Sequence, residues 1–267
     1  MSNIETYILE DLGFGDITSD ALIDGSLTGT AAVIANEQCV VAGIYEAEEV
    51  FHYFNLKTSA LVSDGESVVK GDTILEISGS LKSILSAERT ALNFLMRMSG
   101  IATVAHNLSS KLSHAKIAAT RKTTPGFRAF EKKAVVLGGG DPHRFCLDDL
   151  ILIKDNHIAV LGGVDKAVIR AKKYSFTKKV EVEVESIEDS EIAVNAGADI
   201  ILLDNMSPED AAKCYRLIKS LNPSICVEVS GTITPETAPL YDACADVISL
   251  GWITHSVRSI QFSLDVC

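Results

Sequence analysis

The stretch KVEVEVESIEDSEIAVNAGADIILLDN, residues 179–205, decides the fold. It opens on alternating valine and glutamate, passes through a polar turn and a helix-spaced segment, and closes on a second apolar run. Two apolar runs joined by a helical segment read as a βαβ unit, whose strands lie parallel. The same unit recurs on either side, with further runs in AKIAATR (115–121), LILIKDN (150–156), ICVEVSG (225–231) and DVISLG (246–251). Six or seven such units predict a compact α/β barrel over the last two thirds of the chain.

Period-two geometry puts Glu181, Glu183 and Glu185 on one face of the first run and Val180, Val182 and Val184 on the other. If the valines pack under outer helices, the glutamates look into the barrel, where an unpaired carboxylate is costly. Cations must then meet them, whether Lys154, Arg121 or a metal. The other reading is an edge strand with a solvated acidic face, which the flanking runs disfavour.

The first third has a different texture. GTAAVIANEQCVVAG (29–43) is β-rich, IYEAEEVFHYFN (44–55) has helical spacing, and SDGESVVKGDTILEISG (63–79) alternates like a strand pair with glycine turns. A long helix is expected from about Ser80 to Leu112, with Leu85, Leu92, Leu95 and Met96 on its apolar face and a break at Ser99–Gly100. His52, His106 and His114 fall on helical patterns and read as packing or surface residues.

Lys and Arg number 24 against 36 acids, a formal net charge of −12. That balance disfavours nucleic-acid and anionic-membrane binding, which need a broad basic surface. No apolar run reaches the roughly 18 residues that span a bilayer, and the acidic start MSNIETYILEDLGFGD is unlike a signal peptide. A cytoplasmic location is expected. The six cysteines are widely spaced, with no zinc-ligand pattern, and read as thiols.

Within this acidic chain, nine of the basic residues fall between Lys111 and Lys154, some of them around the turn in ATRKTTPGFRAF (119–130). Such an island is either ordinary solvation or the site of a small anion. In parallel barrels, chemistry gathers at the C-terminal strand ends. Here those ends carry Arg121 and Lys122, Lys154, Glu183 with Glu185, Asp204 with Asn205, Ser230 with Gly231, and Gly251. The glycines of LGGGDPHR (137–144) and of the last two strand ends suit phosphate. His143 and His255 are candidates for ligand contact, and His157 for orienting a neighbour. Carboxylates such as Glu183 and Asp204 suit Mg²⁺ shared with substrate phosphates.

These motifs resemble a known family. ATRKTTPGFR (119–128), KKAVVLGGGDPHRFCLDDLILIKDNHI (132–158), EVEVES (181–186), ILLDN (201–205) and LGWITHS (250–256) are similar to quinolinate phosphoribosyltransferases. GDITS (15–19) and ERTALNFLMRMSGIAT (88–103) agree, so the resemblance spans nearly the whole chain. It implies an N-terminal α/β sandwich domain, residues 1–102. It also implies an incomplete barrel of about seven strands, residues 103–267, whose extreme C-terminus packs back on the first domain.

The implied reaction moves the phosphoribosyl group of phosphoribosyl pyrophosphate (PRPP) to quinolinate, giving nicotinate mononucleotide, pyrophosphate and CO₂ in NAD synthesis. By resemblance, Arg121, His143 and Arg144 hold the quinolinate carboxylates, with Lys122 and Lys154 beside the substrates. Glu183 and Asp204 serve the ribose and its Mg²⁺, and Ser230, Gly231, Gly251 and His255 the phosphate. The resemblance further implies a homodimer, or a hexamer built from it, in which Arg89 reaches the neighbouring subunit's site. Thr232 departs from the Ser-Gly-Gly turn common in the family, which touches the detail of the phosphate site. The rivals are a nicotinate phosphoribosyltransferase, a related protein associated with molybdenum uptake, and a PRPP-sensing module without turnover. The first needs fewer cations, the second would diverge at HR (143–144) and KDNH (154–157), and the third has no use for Glu183 and Asp204.

Overall fold

The structure, a computed structural model, describes residues 4–267. Its strands in chain order are β1 (Thr28–Ala35), β2 (Cys39–Val40), β3 (Lys57–Ala60), β4 (Ser67–Val68), β5 (Thr73–Ser80) and β6 (Lys116–Ala118). They continue as β7 (Ile151–Ile153), β8 (Val180–Val184), β9 (Ile200–Asp204), β10 (Cys226–Ser230), β11 (Val247–Ser249) and β12 (Phe262–Val266). The chain forms two compact units. One comprises Met1–His106, Thr124–Gly139 and Ile253–Cys267, the other Asn107–Thr123 and Gly140–Trp252.

The first unit holds a four-stranded antiparallel sheet in the order β12-β1-β5-β3, plus the short β2-β4 pair. Nearly all of the Leu81–Ser109 helix belongs to it. Ile84, Ala87, Ala91, Leu92, Leu95 and Met98 recur at three- and four-residue steps and are all buried. Leu85, expected on that stripe, lies off it and is 37% exposed.

The helix does not break at Ser99–Gly100. Ser99 Oγ accepts from Ala42 N at 2.9 Å and donates to Ala42 O at 3.2 Å. A Cβ on Gly100 would lie 2.5 Å from the backbone oxygen of Arg258. The small pair therefore serves close approach of neighbouring backbone within this unit rather than a bend. His114, read as helical, lies in the turn after the helix, with Nε2 3.1 Å from Tyr215 Oη.

The second unit is built on a parallel sheet in the order β6-β11-β10-β9-β8-β7. It has six strands where about seven were expected, and β6 and β7 are its edges. Between the Arg128–Leu137 helix and β7, strand pairing among the described residues is confined to a single Ala118–Asp141 bridge. Three consecutive glycines and Pro142 make that stretch a loop, since proline cannot donate to a central ladder. β8 pairs with both β7 and β9, which rules out the edge-strand reading of its glutamates.

Local chemistry sets the turns that follow β8 and β9. Ser186 Oγ accepts from Asp189 N at 3.0 Å and starts the Ile187–Ala196 helix, which ends on Gly197 in the left-handed conformation. Ser207 does the same for the Pro208–Leu221 helix, with proline in its first turn. Each helix starts only a few residues after its strand, which leaves Glu183 and Asp204 at the open end of the sheet.

Candidate active site

Cross-strand register puts Leu202 beside both Glu183 and Glu228, and Asp204 beside Ser230. Alternate residues of neighbouring parallel strands therefore share one face. That face opens into a cavity of about 650 Å³ at the C-terminal strand ends. Val180, Val182 and Val184 are buried on the opposite face, as the inward reading of the glutamates requires.

Ten of the twelve residues proposed from sequence line this cavity. The cations are Arg121, Lys122, Arg144 and Lys154, and the carboxylates Glu183 and Asp204 face them. His143, Ser230, Gly231 and Gly251 complete the set. Arg89 and His255 belong to the first unit and do not line it. His255 Nδ1 lies 2.7 Å from Ser256 Oγ, and the exposed Arg89 lies 3.9 Å from Glu88.

Lys154 makes a short ion pair with Glu183. Its backbone N–H donates to His157 Nδ1 at 2.9 Å, a side-chain cap at the start of the Asp155–Leu161 helix. Arg144 is the neighbour of Arg121. Burial first, then the Arg121 charge, hold the Arg144 guanidinium below its ordinary value, against Glu181, Glu228 and Asp149. Arg121 Nε is buried and has no hydrogen-bond partner among the described residues. Two adjacent guanidiniums, one with an unanswered donor, are an arrangement that a planar anion would satisfy.

Asp204 is the more rigid carboxylate. Ser230 Oγ donates to its Oδ1 at 2.6 Å and Asn205 Nδ2 to its Oδ2 at 2.7 Å. Gly231 has φ +124°, and a Cβ there would lie 2.4 Å from Asn205 Oδ1. Glycine is therefore required where the turn crosses Asn205, and the adjacent Thr232 also lines the cavity. Oxygen donors on Glu183 and Asp204, beside a hydroxyl and a glycine turn, fit a hard divalent cation that shares a phosphate-bearing ligand.

The floor holds two residues that sequence reading missed as site residues, Glu181 and Glu228, which are 0% and 3% exposed. His143 Nε2 donates to Glu228 Oε2 at 3.1 Å and lies 3.7 Å from Glu181 Oε2. Ser249 Oγ donates to the other Glu228 oxygen. Neither Glu181 oxygen has a hydrogen-bond partner among the described residues. Burial, with the Glu228 charge next, pushes the Glu181 carboxyl up to about 8, opposed by His143, Arg144 and Lys154. A signal for both was present, since each sits one strand period below a residue already singled out, Glu183 and Ser230.

His143, Glu181 and Glu228 offer ligand atoms within 4.8 Å of one another. The ring, however, accepts the Arg144 N–H at Nδ1, 2.7 Å away. The ring proton is then on Nε2, which makes His143 a donor here and not a metal ligand.

The proton on Glu181 has a consequence for stability. An unfolded glutamate gives up its proton near 4.5, whereas the folded one keeps it to about 8. The folded state binds more protons between those values, so stability falls as pH rises from about 4.5 to about 8 and levels off above. Glu181→Gln, neutral throughout, should be stabilised relative to the parent at pH 8.5 but not at pH 5, by on the order of 3 kcal/mol. Urea unfolding at both pH values checks this, and a parent and variant with the same pH dependence would refute it.

Comparison with known proteins places this geometry. Residues 101–265 match the family model described as quinolinate phosphoribosyl transferase, C-terminal domain, and residues 16–99 match its N-terminal counterpart. The chain is 44% identical to a probable nicotinate-nucleotide pyrophosphorylase [carboxylating] of Methanothermobacter thermautotrophicus, over 100% of this chain and 98% of that protein. It is 39% identical to the human nicotinate-nucleotide pyrophosphorylase [carboxylating], over 98% of this chain and 89% of the human one. Among solved structures, NadC from Streptococcus pyogenes superposes with a TM-score of 0.94 at 40% identity, covering 99% of this chain and 95% of that one.

Proposed function

Because the chain belongs to the quinolinate phosphoribosyltransferase family, we propose that its cavity transfers the phosphoribosyl group of PRPP to quinolinate with loss of CO₂. The products are nicotinate mononucleotide and pyrophosphate, in the de novo synthesis of NAD. The observation that carries this reading is the pair of neighbouring guanidiniums, Arg121 and Arg144, in the same cavity as Glu183 and Asp204.

Quinolinate brings two adjacent carboxylates, and each asks for a two-pronged cationic partner. Arg121 and Arg144 supply them, with His143 beside Arg144 and with Lys122 and Lys154 adding positive charge. The pyridine nitrogen attacks with its own lone pair, so no general base is required. As pyrophosphate leaves, positive charge develops on the ribose ring, and Glu183 and Asp204 stabilise it. Ser230, Gly231 and Gly251, which line the cavity, serve the phosphate. Mg²⁺, held by Glu183 and Asp204, would neutralise charge on the departing pyrophosphate. The cationic pyridine then accepts the electron pair of the breaking carbon–carboxylate bond, Lys122 steadies that charge, and a solvent proton replaces CO₂.

The working unit in this reading is a homodimer, alone or within a hexamer, in which Arg89 completes the neighbouring cavity. The surface near Arg89 supports it. Asp16 caps the Ile17–Leu22 helix and accepts from Ser86 Oγ at 2.9 Å, which ties that helix to the Arg89 region of the long one. Phe14, Ile17 and Leu22 are strongly exposed there and give a second copy an apolar face to cover. All six cysteines are free, which supports a reducing, cytoplasmic setting. No helix among the described residues is long and apolar enough to cross a membrane.

Purified protein given quinolinate, PRPP and Mg²⁺ should release nicotinate mononucleotide, pyrophosphate and CO₂, and should do so far more slowly with nicotinate. A folded protein that binds PRPP yet turns over nicotinate in preference to quinolinate would contradict the reading. The subunit arrangement has its own test. Arg89→Ala and Lys154→Ala should each be nearly inactive, and mixing them under subunit exchange should recover about a quarter of parental activity, because half of the dimers then carry one intact site. No recovery would place Arg89 outside the neighbouring site.

A further inference from the structure

A cavity that takes a dicarboxylate should exclude buried carboxylates, yet Glu228 and Glu181 close its floor. Glu228 is committed on both oxygens, to Ser249 Oγ and to His143 Nε2. His143 Nδ1 accepts the Arg144 N–H at 2.7 Å, and His143 N donates to Asp141 Oδ1 at 2.7 Å. A continuous chain of contacts therefore runs from β11 through β10 to the loop that carries Arg144.

That loop needs an external fastening. Among the described residues, its strand-type pairing with the sheet is the Ala118–Asp141 bridge. His143 itself is held at φ +49°, a left-handed conformation that is uncommon for a residue with a Cβ and persists only where its surroundings fix it. The imidazole, with Nδ1 accepting and Nε2 donating, is the coupling piece between the loop and Glu228. Glu181 does not share this task, since neither of its oxygens makes a hydrogen bond among the described residues.

We propose that Glu228 is a positioning residue for the second carboxylate of the substrate: through the His143 ring it fixes the Asp141–Arg144 loop and so aims the Arg144 guanidinium. This gives the cavity its preference for a pyridine dicarboxylate over a monocarboxylate. The inference rests on the phosphoribosyl transfer proposed above and adds a residue to it. Glu228 acts through His143 and Arg144, so its loss falls on quinolinate recognition and spares PRPP.

The test uses the intact enzyme and the variants Glu228→Ala, Glu228→Gln, His143→Ala and the double alanine. KM for each substrate, kcat and the inhibition constant of nicotinate are measured for each. Glu228→Ala should raise the quinolinate KM about 30-fold, as expected for a lost charge-assisted hydrogen bond, and leave kcat within about threefold. The PRPP KM should not change, and discrimination against nicotinate should fall. Glu228→Gln, whose amide oxygen still accepts from Nε2, should recover most of the loss. The double variant should be no worse than His143→Ala alone, because the two residues act in one line.

Multiplying effects in the double variant would overturn the proposal, as would a Gln variant as impaired as the Ala variant, or a parallel rise in both KM values. If Glu228→Ala does not fold, Ser249→Ala tests the chain one link earlier. The same selective rise in quinolinate KM, on a smaller scale, supports the proposal, and its absence overturns it. A parent enzyme that forms no pyrophosphate from quinolinate and PRPP is a different result, which removes the transfer activity and this inference with it.

Discussion

A strand that buries valines on one face and glutamates on the other, in the interior of a parallel sheet, imposes the constraint on which the rest of the cavity depends. β8 is paired on both sides, so its carboxylates cannot be turned to solvent by placing the strand at an edge. Each must be neutralised locally. Glu183 is met by Lys154 from the neighbouring strand end. Glu181, one layer deeper and without a hydrogen bond among the described residues, keeps its proton well into the neutral range. The two glutamates of one short strand thus meet different surroundings because of their depth, an ion pair for Glu183 and burial for Glu181.

The cations gathered to meet this acidic layer also give an acidic chain its anion site. Of the basic island, Arg121, Lys122, Arg144 and Lys154 face the cavity. Others serve elsewhere: Lys133 bridges Glu46 and Asp64 in the first unit. Net charge therefore says little about ligand sign, whereas the distribution along the strand ends says a good deal. Carboxylates and guanidiniums that line one cavity suit a reaction that binds anions and develops positive charge on a sugar.

The strand ends were legible from sequence because a parallel sheet converts chain order into a row of terminal residues. Each apolar run from AKIAATR to DVISLG became a strand of the second sheet, and its closing residues became cavity wall. The parallel sheet has six strands among the described residues, and beside β6 the pairing goes no further than the Ala118–Asp141 bridge. The expected helix break at Ser99–Gly100 failed for a tertiary reason, as the pair accommodates backbone from Ala42 and Arg258 that a helical pattern cannot reveal.

The floor was the least legible part. Glu181 was placed on the inward face but expected to have a cation as partner, and Glu228 passed as one polar residue within VEVS (227–230). Their meeting at His143 depends on a left-handed residue in a loop and on register across β8, β9 and β10. Neither is written in local sequence. The link from Glu228 to Arg144 exists only in the folded contacts through the His143 ring.

A crystal structure of the protein with quinolinate bound tests the central claim most directly. The ring should lie in the strand-end cavity with one carboxylate on Arg121 and the other on Arg144, and with the contact between His143 and Glu228 intact. Quinolinate seated there with its carboxylates away from both guanidiniums, or bound outside the cavity, would contradict it.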